Sequence, residues 1–148
     1  MKKVSIIIPV YNEEKTIGEV IRKIENVKIP LKKEIIVVDE STDRSPEIVR
    51  KLSKKYGNIK LIHREGKSGK GFAIRIGLHY ATGDIVIIQD SDLEYDPRDY
   101  YKLIRPIIRN KANVVYGSRV LNPKNDISYY SFLLGGRILT YLTNFLFR

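Results

Sequence analysis

Cysteine is absent from the 148 residues. Disulfides and thiolate metal sites are therefore excluded, and the redox compartment cannot be read from the chain. Histidine occurs only at His63 and His79, too sparsely for a histidine-rich zinc site. No apolar run approaches the roughly 18 residues of a membrane span. The start, MKKVSIIIPVYNEE, is charged, but its apolar run is short and lacks a small-residue cleavage site, unlike a signal peptide. Negative charge is also in short supply, with 17 Asp and Glu against 27 Lys and Arg and a net charge of +10. That balance points to an anionic partner such as a phosphorylated metabolite or a membrane surface. A lysine-rich solvated surface explains it equally well. The cations are spread along the chain without a helix-turn-helix, zinc-finger or RNA-binding pattern, which argues against nucleic acid.

What is present alternates. The β-branched runs KVSIII (3–8), EIIVV (34–38), IKLIH (59–63), DIVII (84–88) and NVVYG (113–117) predict strands. Between them, Ile17, Val20, Ile21, Ile24 and Val27 follow helical spacing after the cap candidates Asn12 and Thr16. Ser45-Pro46-Glu47 predicts a second helix start, with Gly57 as its stop. A third helix is expected over Gly69–Ala81, stopping at Gly83, and a fourth from Asp96-Pro97, kinked or shortened by Pro106. The length suits one domain with a sizeable core. Repeated strand–helix–strand units with near-continuous apolar strands predict an α/β fold with a mostly parallel sheet and helices on both faces. In such sheets ligands bind beyond the carboxyl ends of the strands, where strand order switches.

The polar segments at those ends are PVYNEE, DESTD, REGKSGKG, QDSD and SR. GKSGKG (66–71) fails the Walker pattern, because Leu61 stands where its first glycine belongs. A lysine-bearing glycine turn opening a helix still suits an anion, and a plain mobile turn suits it as well. QDSDLEYDP (89–97) carries Asp90, Asp92, Glu94 and Asp96 at alternate positions. In an extended backbone these carboxylates share one side, and neighbours about 5 Å apart repel by roughly 3 kcal/mol per pair at an effective dielectric near 20. Solvent, neighbouring cations or a divalent metal must offset that repulsion. A calcium loop is excluded, because its sixth and twelfth positions are Tyr95 and Tyr101. The Asp-x-Asp that remains suits Mg²⁺ or Mn²⁺, which take one or two carboxylates plus substrate phosphates. Asp39 and Asn12-Glu13 also end strands, and Arg64, Lys67, Lys70 and Arg119 supply cations on the same rim.

IIIPVYNEE, IIVVDESTD, GKGFAIRIG, GDIVIIQDSDLEYDP and VVYGSR, in that order, resemble the inverting family 2 glycosyltransferases. Within them the chain is most similar to dolichyl-phosphate mannose and glucose synthases and other polyprenyl-phosphate glycosyltransferases. The resemblance implies a GT-A fold, Rossmann-like, binding a UDP- or GDP-sugar over residues 1–127. It implies that Pro9, Tyr11, Glu13 and Lys70 line the nucleotide-sugar pocket and that Asp39 hydrogen-bonds the base. It further implies that Asp90 and Asp92 reach the diphosphate through Mg²⁺ or Mn²⁺, with Glu94 near the metal, and that Asp92 and Arg119 serve catalysis. Structural readings stand beside these: Pro9 and Tyr11 shape a turn, Asp39 caps a helix, Arg119 is a surface cation. A polyprenyl phosphate acceptor is already anionic and needs cations, with Arg119 and Arg137 as candidates. A hydroxyl acceptor needs a carboxylate base, for which only a weak case at Asp126 exists.

Two departures from the family pattern stand out. The family's VVDDGSTD is VVDESTD here, one residue shorter, which leaves open whether Asp39 or Glu40 faces the base. The family also continues past LTNFLF into a further acidic residue, a Thr-Gly-aromatic-Arg motif and often membrane helices. The resemblance therefore implies a fragment, a truncated product or a short relative needing a partner subunit or a second copy. A transferase acting on a sugar hydroxyl and a non-catalytic nucleotide-sugar-binding subunit are the alternatives. The apolar segment 128–148 is expected to form a helix that packs on the domain, on another copy or at a membrane interface. The expected location is cytoplasmic, peripheral at the inner face of the cell membrane.

Overall fold

The computed structural model describes residues 1–117 and 130–146. Four strands form one parallel sheet: β1 (Lys3–Val10), β2 (Lys32–Asp39), β3 (Ile59–His63) and β4 (Ile85–Ile88), in the order β3-β2-β1-β4. The first three strands step outward from β1, and the chain then crosses back to place β4 on the other side of β1. The switch in strand order therefore lies at the carboxyl ends of β1 and β4. The expected strand at 113–117 does not form: Val114 and Tyr116 are exposed, and no sheet partner meets them among the described residues. Their β-branched and aromatic character favours a strand only where a neighbouring strand and a buried face are available.

Alternation along the strands sorts the core into two layers. Val4, Ile6 and Ile8 of β1, with Ile35 and Val37 of β2, pack against Ile17, Val20, Ile21 and Ile24 of α1 (Ile17–Asn26). The same layer takes Val49 of α2 (Ser45–Tyr56) and Tyr100 and Ile104 of α4 (Tyr100–Ile108). On the opposite face, Ile7, Ile36 and Val38 meet Ala73 and Ile76 of α3 (Lys70–Tyr80). Helices thus cover both faces, as the near-continuous apolar strands require. At Gly77 of α3, a Cβ would fall 2.4 Å from Cγ2 of Ile7, so the helix lies closer to β1 than any side chain at 77 permits.

The helix starts differ in detail from the sequence expectations. Thr16 precedes α1 but caps nothing; its hydroxyl bonds Glu13 Oε2 at 2.7 Å. Ser45 is the first residue of α2 rather than its cap, and its N–H donates to Asp43 Oδ1 at 2.9 Å. Pro97 opens a short 3-10 turn (Pro97–Asp99) before α4, which ends two residues beyond Pro106. Residues Met1–Val115 form one compact unit and Tyr116–Arg148 another. The second contains α5 (Tyr130–Leu146), whose Thr140 and Thr143 hydroxyls bond back to Gly136 O and Leu139 O, both at 2.8 Å. No helix among the described residues is long and apolar enough to cross a membrane.

The amino ends of the strands are clamped by a polar knot around Glu34. Its Oε1 accepts from Lys3 Nζ at 2.7 Å and Thr82 Oγ1 at 2.9 Å. Its Oε2 accepts from Ser5 Oγ at 2.6 Å and Thr82 N at 3.0 Å. Burial works to raise the Glu34 pKa, but the donors from Lys3, Ser5 and Thr82 outweigh it and hold the carboxyl at about 2. A folded pKa below the unfolded one stabilises above the unfolded value, and that stabilisation drains as pH falls through the folded value. Urea unfolding between pH 7 and 2 should therefore show a loss of at most about 3 kcal/mol attributable to Glu34, concentrated below the ordinary glutamate pKa. The Glu34→Gln variant should be less stable at pH 7 and show a shallower decline. An identical pH slope in the two proteins would count against the knot.

Candidate functional site

Where β1 and β4 end, a cleft of about 280 Å³ is lined by Pro9, Tyr11, Glu13, Glu40, Lys67, Lys70, Asp90 and Asp92, among others. It lies at the switch in strand order. Pro9, Tyr11, Glu13, Lys70, Asp90 and Asp92 were all expected on this rim from the sequence, and the fold brings them together.

The loops after β1 and β2 are stitched to each other. Asn12 adopts a left-handed backbone (φ 56); its N–H donates to Ser41 Oγ at 2.7 Å, while its Oδ1 accepts from Thr42 N at 2.9 Å. Glu13 N donates to Ser45 Oγ at 3.0 Å and Glu14 N to Asp43 Oδ2 at 3.0 Å. These contacts fix Tyr11 and Glu13 at the cleft, and Lys67 Nζ lies 4.4 Å from the centre of the Tyr11 ring.

Asp39 and Glu40 divide the work left open by the sequence. Asp39 is fully buried and absent from the cleft lining. Its Oδ1 accepts from Ser41 Oγ at 2.6 Å and its Oδ2 meets His63 Nδ1 at 2.6 Å. With both oxygens engaged inside the protein, Asp39 holds the loop rather than presenting an acceptor to the cleft. Glu40 does line the cleft, although it is 4% exposed. Its Oε2 accepts from Ser68 N at 2.7 Å. Its Oε1 lies 3.6 Å from Arg64 Nε and has no hydrogen-bond partner among the described residues. A buried carboxylate oxygen left without a donor is costly, and a ligand N–H would satisfy it.

The acidic run after β4 is not extended. β4 ends at Ile88, and Leu93 turns the chain with φ 68. Asp90 and Asp92, before that turn, line the cleft, whereas Glu94 and Asp96, after it, do not. Asp90 Oδ1 pairs with Lys70 Nζ at 2.5 Å. Asp92 Oδ1 accepts from Glu94 N at 3.1 Å, and Asp96 accepts from Arg98 N at 2.9 Å and pairs with its guanidinium. Bonds from Arg98 lower the Asp96 pKa. Glu94 contributes its backbone to Asp92, and its side chain is not among those lining the cleft. Asp90 and Asp92 both line the cleft, and no group of three potential metal-ligating side chains is gathered among the described residues. Two oxygen ligands still fit Mg²⁺ or Mn²⁺ if substrate phosphates complete the shell, and Lys70 demonstrates that the Asp90 oxygen receives a cation.

Two residues that the sequence reading passed over position this loop. Gln89 is buried; its Nε2 donates to Asp90 O at 3.0 Å and Tyr95 O at 3.2 Å, and its Oε1 accepts from Tyr100 OH at 2.7 Å. Burial raises the Tyr100 pKa, keeping the phenol a donor. Ser91 Oγ donates to Pro9 O at 3.3 Å, tying the motif to β1. A lone glutamine ending an apolar strand was the available signal. Arg119 and Asp126 lie outside the described residues, and Arg137 belongs to α5 in the other compact unit.

The profile of the family described as "Glycosyl transferase family 2" matches residues 5–145. The chain is 40% identical over 118 residues to a dolichol-phosphate mannosyltransferase of Pyrococcus furiosus, covering 79% of this chain and 33% of that protein. It is 34% identical to a UDP-N-acetylglucosamine–dolichyl-phosphate N-acetylglucosaminyltransferase of Methanococcus voltae, covering 94% and 66%. Among solved structures it resembles a Pyrobaculum calidifontis mannosyltransferase in complex with GDP-Man and Mn²⁺ (TM-score 0.59, 36% identity, 65% of this chain and 29% of that one). It also resembles S. aureus TarS in complex with UDP-GlcNAc (TM-score 0.63, 33% identity, 74% and 32%). The chain spans between a third and two thirds of the length of these two curated relatives.

The role of Asp39 can be tested by stability alone. Asp39→Ala removes the acceptor for Ser41 and His63 in a dry setting and should cost about 2–3 kcal/mol in denaturant unfolding. A change under about 0.5 kcal/mol, ordinary for a surface position, would contradict the structural role.

Proposed function

The chain belongs to glycosyl transferase family 2, and from that premise we propose that the cleft binds a nucleoside-diphosphate sugar whose sugar is passed, with inversion, to a polyprenyl phosphate. The observation that carries this reading is the convergence of Tyr11, Glu40, Lys70, Asp90 and Asp92 at the switch point of one parallel sheet. An aromatic ring, an acceptor short of a donor, a cation and two carboxylates are the groups that a base, a diphosphate and its counter-ion call for.

In this reading the base lies against Tyr11, and an N–H on its edge donates to Glu40 Oε1. Uracil and guanine both carry such an N–H, so UDP- and GDP-sugars both fit. Lys70 faces the diphosphate. Asp90 and Asp92 would hold Mg²⁺ or Mn²⁺. When bound there, such an ion supplies Lewis-acid charge neutralisation for the departing nucleoside diphosphate. Gln89 and Ser91 keep both carboxylates in register with β1. The acceptor phosphate oxygen is already anionic, so it attacks the anomeric carbon without a general base. The C–O bond to the nucleoside diphosphate breaks as the new C–O bond forms on the opposite face. The dolichyl-phosphate chemistry named for the relatives supports this choice over a hydroxyl acceptor.

The donor-binding role falls to residues 1–127, and the apolar segment 128–148 is assigned to the inner face of the cell membrane as a peripheral contact. Labelled GDP- and UDP-sugars incubated with Mn²⁺ and polyprenyl phosphate should yield a lipid-linked sugar. Asp92→Asn should lower the yield roughly a hundredfold or more, the scale of losing one charge-stabilising group. Donor binding without any transfer would instead favour a non-catalytic nucleotide-sugar-binding subunit. Deleting 128–148 should reduce co-sedimentation with anionic liposomes, and unchanged sedimentation would remove the membrane contact from the proposal.

A further inference from the structure

One cation position of the cleft is filled from within the chain. Lys70 Nζ sits on Asp90 Oδ1 at 2.5 Å. Lys70 is the first residue of α3 and follows Gly69, whose φ of 87 sets the turn. Its side chain is 57% exposed, whereas that of Asp90 is 21% exposed. A solvated four-carbon stem re-aims easily; the half-sunken carboxylate does not. The same turn touches the other parts of the cleft: Lys67 covers the Tyr11 ring, and Ser68 N donates to Glu40. A divalent ion arriving alone would meet two carboxylates, one of them neutralised by an ammonium, and no third metal-ligating side chain gathered with them among the described residues.

We propose that Lys70 is an exchangeable counter-cation, paired with Asp90 in the empty cleft and transferred to the donor's diphosphate when the metal takes its place. The inference rests on the donor-cleft reading above and adds an order of events to it. Breaking the Lys70–Asp90 pair is unfavourable unless the ammonium gains a new anionic partner, and the diphosphate is that partner. Metal and nucleotide are consequently taken up together, each raising the affinity for the other by the same factor. Lys70 is in this sense a positioning residue: it sets when Asp90 is open.

The test uses the full chain and its Lys70→Met, Lys70→Arg and Lys67→Met variants, with folding checked by circular dichroism. Mn²⁺ binding is read from loss of the free-ion paramagnetic resonance signal, with and without GDP or UDP, and nucleotide binding from calorimetry. Without nucleotide, Lys70→Met should bind Mn²⁺ roughly five- to tenfold more tightly than wild type, the range expected of a modest coupling. Lys70→Arg and Lys67→Met should stay within about twofold, less than an ordinary exposed ion pair can contribute. The gain in Mn²⁺ affinity on adding nucleotide should shrink in Lys70→Met. Equal metal-only affinity in wild type and a folded Lys70→Met, with wild type binding nucleotide, would overturn the exchange. So would equal tightening in Lys67→Met, which would reduce the effect to general charge. Failure of wild type to bind either nucleotide with Mn²⁺ would instead overturn the donor-cleft reading, and this inference with it.

Discussion

The pairing of β1 with β2 on one side and β4 on the other is the constraint from which the cleft follows. β1 is apolar on both faces, so helices must cover both, and its backbone groups are satisfied only between two neighbours. That fixes the register of Val10 against Asp39 and of Ile7 against Ile88. The polar residues just beyond those pairs then have nowhere to go but the shared rim. The bonds of Asn12 to Ser41 and Thr42, and of Ser91 to Pro9, convert this proximity into fixed geometry. At the other end of the strands, the Glu34 knot keeps the segment before β4 against the start of β1. The cleft is held from both ends of the same strands.

Charge is managed locally in a chain of +10. The acidic residues beyond β4 do not share a single counter-ion. Asp90 takes an ammonium from α3, Asp96 takes the neighbouring guanidinium, and Asp92 takes a backbone N–H. Asp39 relies on a hydroxyl and an imidazole. Glu40 keeps a buried Oε1 without a hydrogen-bond donor, 3.6 Å from the Arg64 guanidinium.

Much of the sheet and most of the rim were legible because strand periodicity and the order of polar loops are local properties. Ile6, Ile35 and Ile85 declared buried strands by composition alone, and the rule for parallel sheets then located the cleft. What escaped was set by neighbours in space. The run 113–117 reads as a strand, but strand character needs a partner. The alternate carboxylates of 90–96 look aligned in sequence, and the left-handed turn at Leu93 parts Asp90 and Asp92 from Glu94 and Asp96. Asp39 and Glu40 are adjacent and chemically alike, and the positions of Ser41 and of His63 on β3 engage Asp39 inside the protein. Gln89 looks unremarkable until Tyr100, eleven residues on, is seen to hold its amide.

Gly77 carries a consequence reaching beyond packing. It lets α3 settle against Ile7, and Lys70 lies at the start of that helix, about 10 Å along its axis at 1.5 Å per residue. Ala73 and Ile76 pack on the same sheet face, so raising the helix at 77 would tilt it about those contacts and move its far end. Even one added methyl at that buried spot would shift where the ammonium meets Asp90, while leaving every cleft residue unaltered. The reach of the cleft into the sequence is therefore longer than its lining suggests, and the smallest residue in α3 helps set the charge at its mouth.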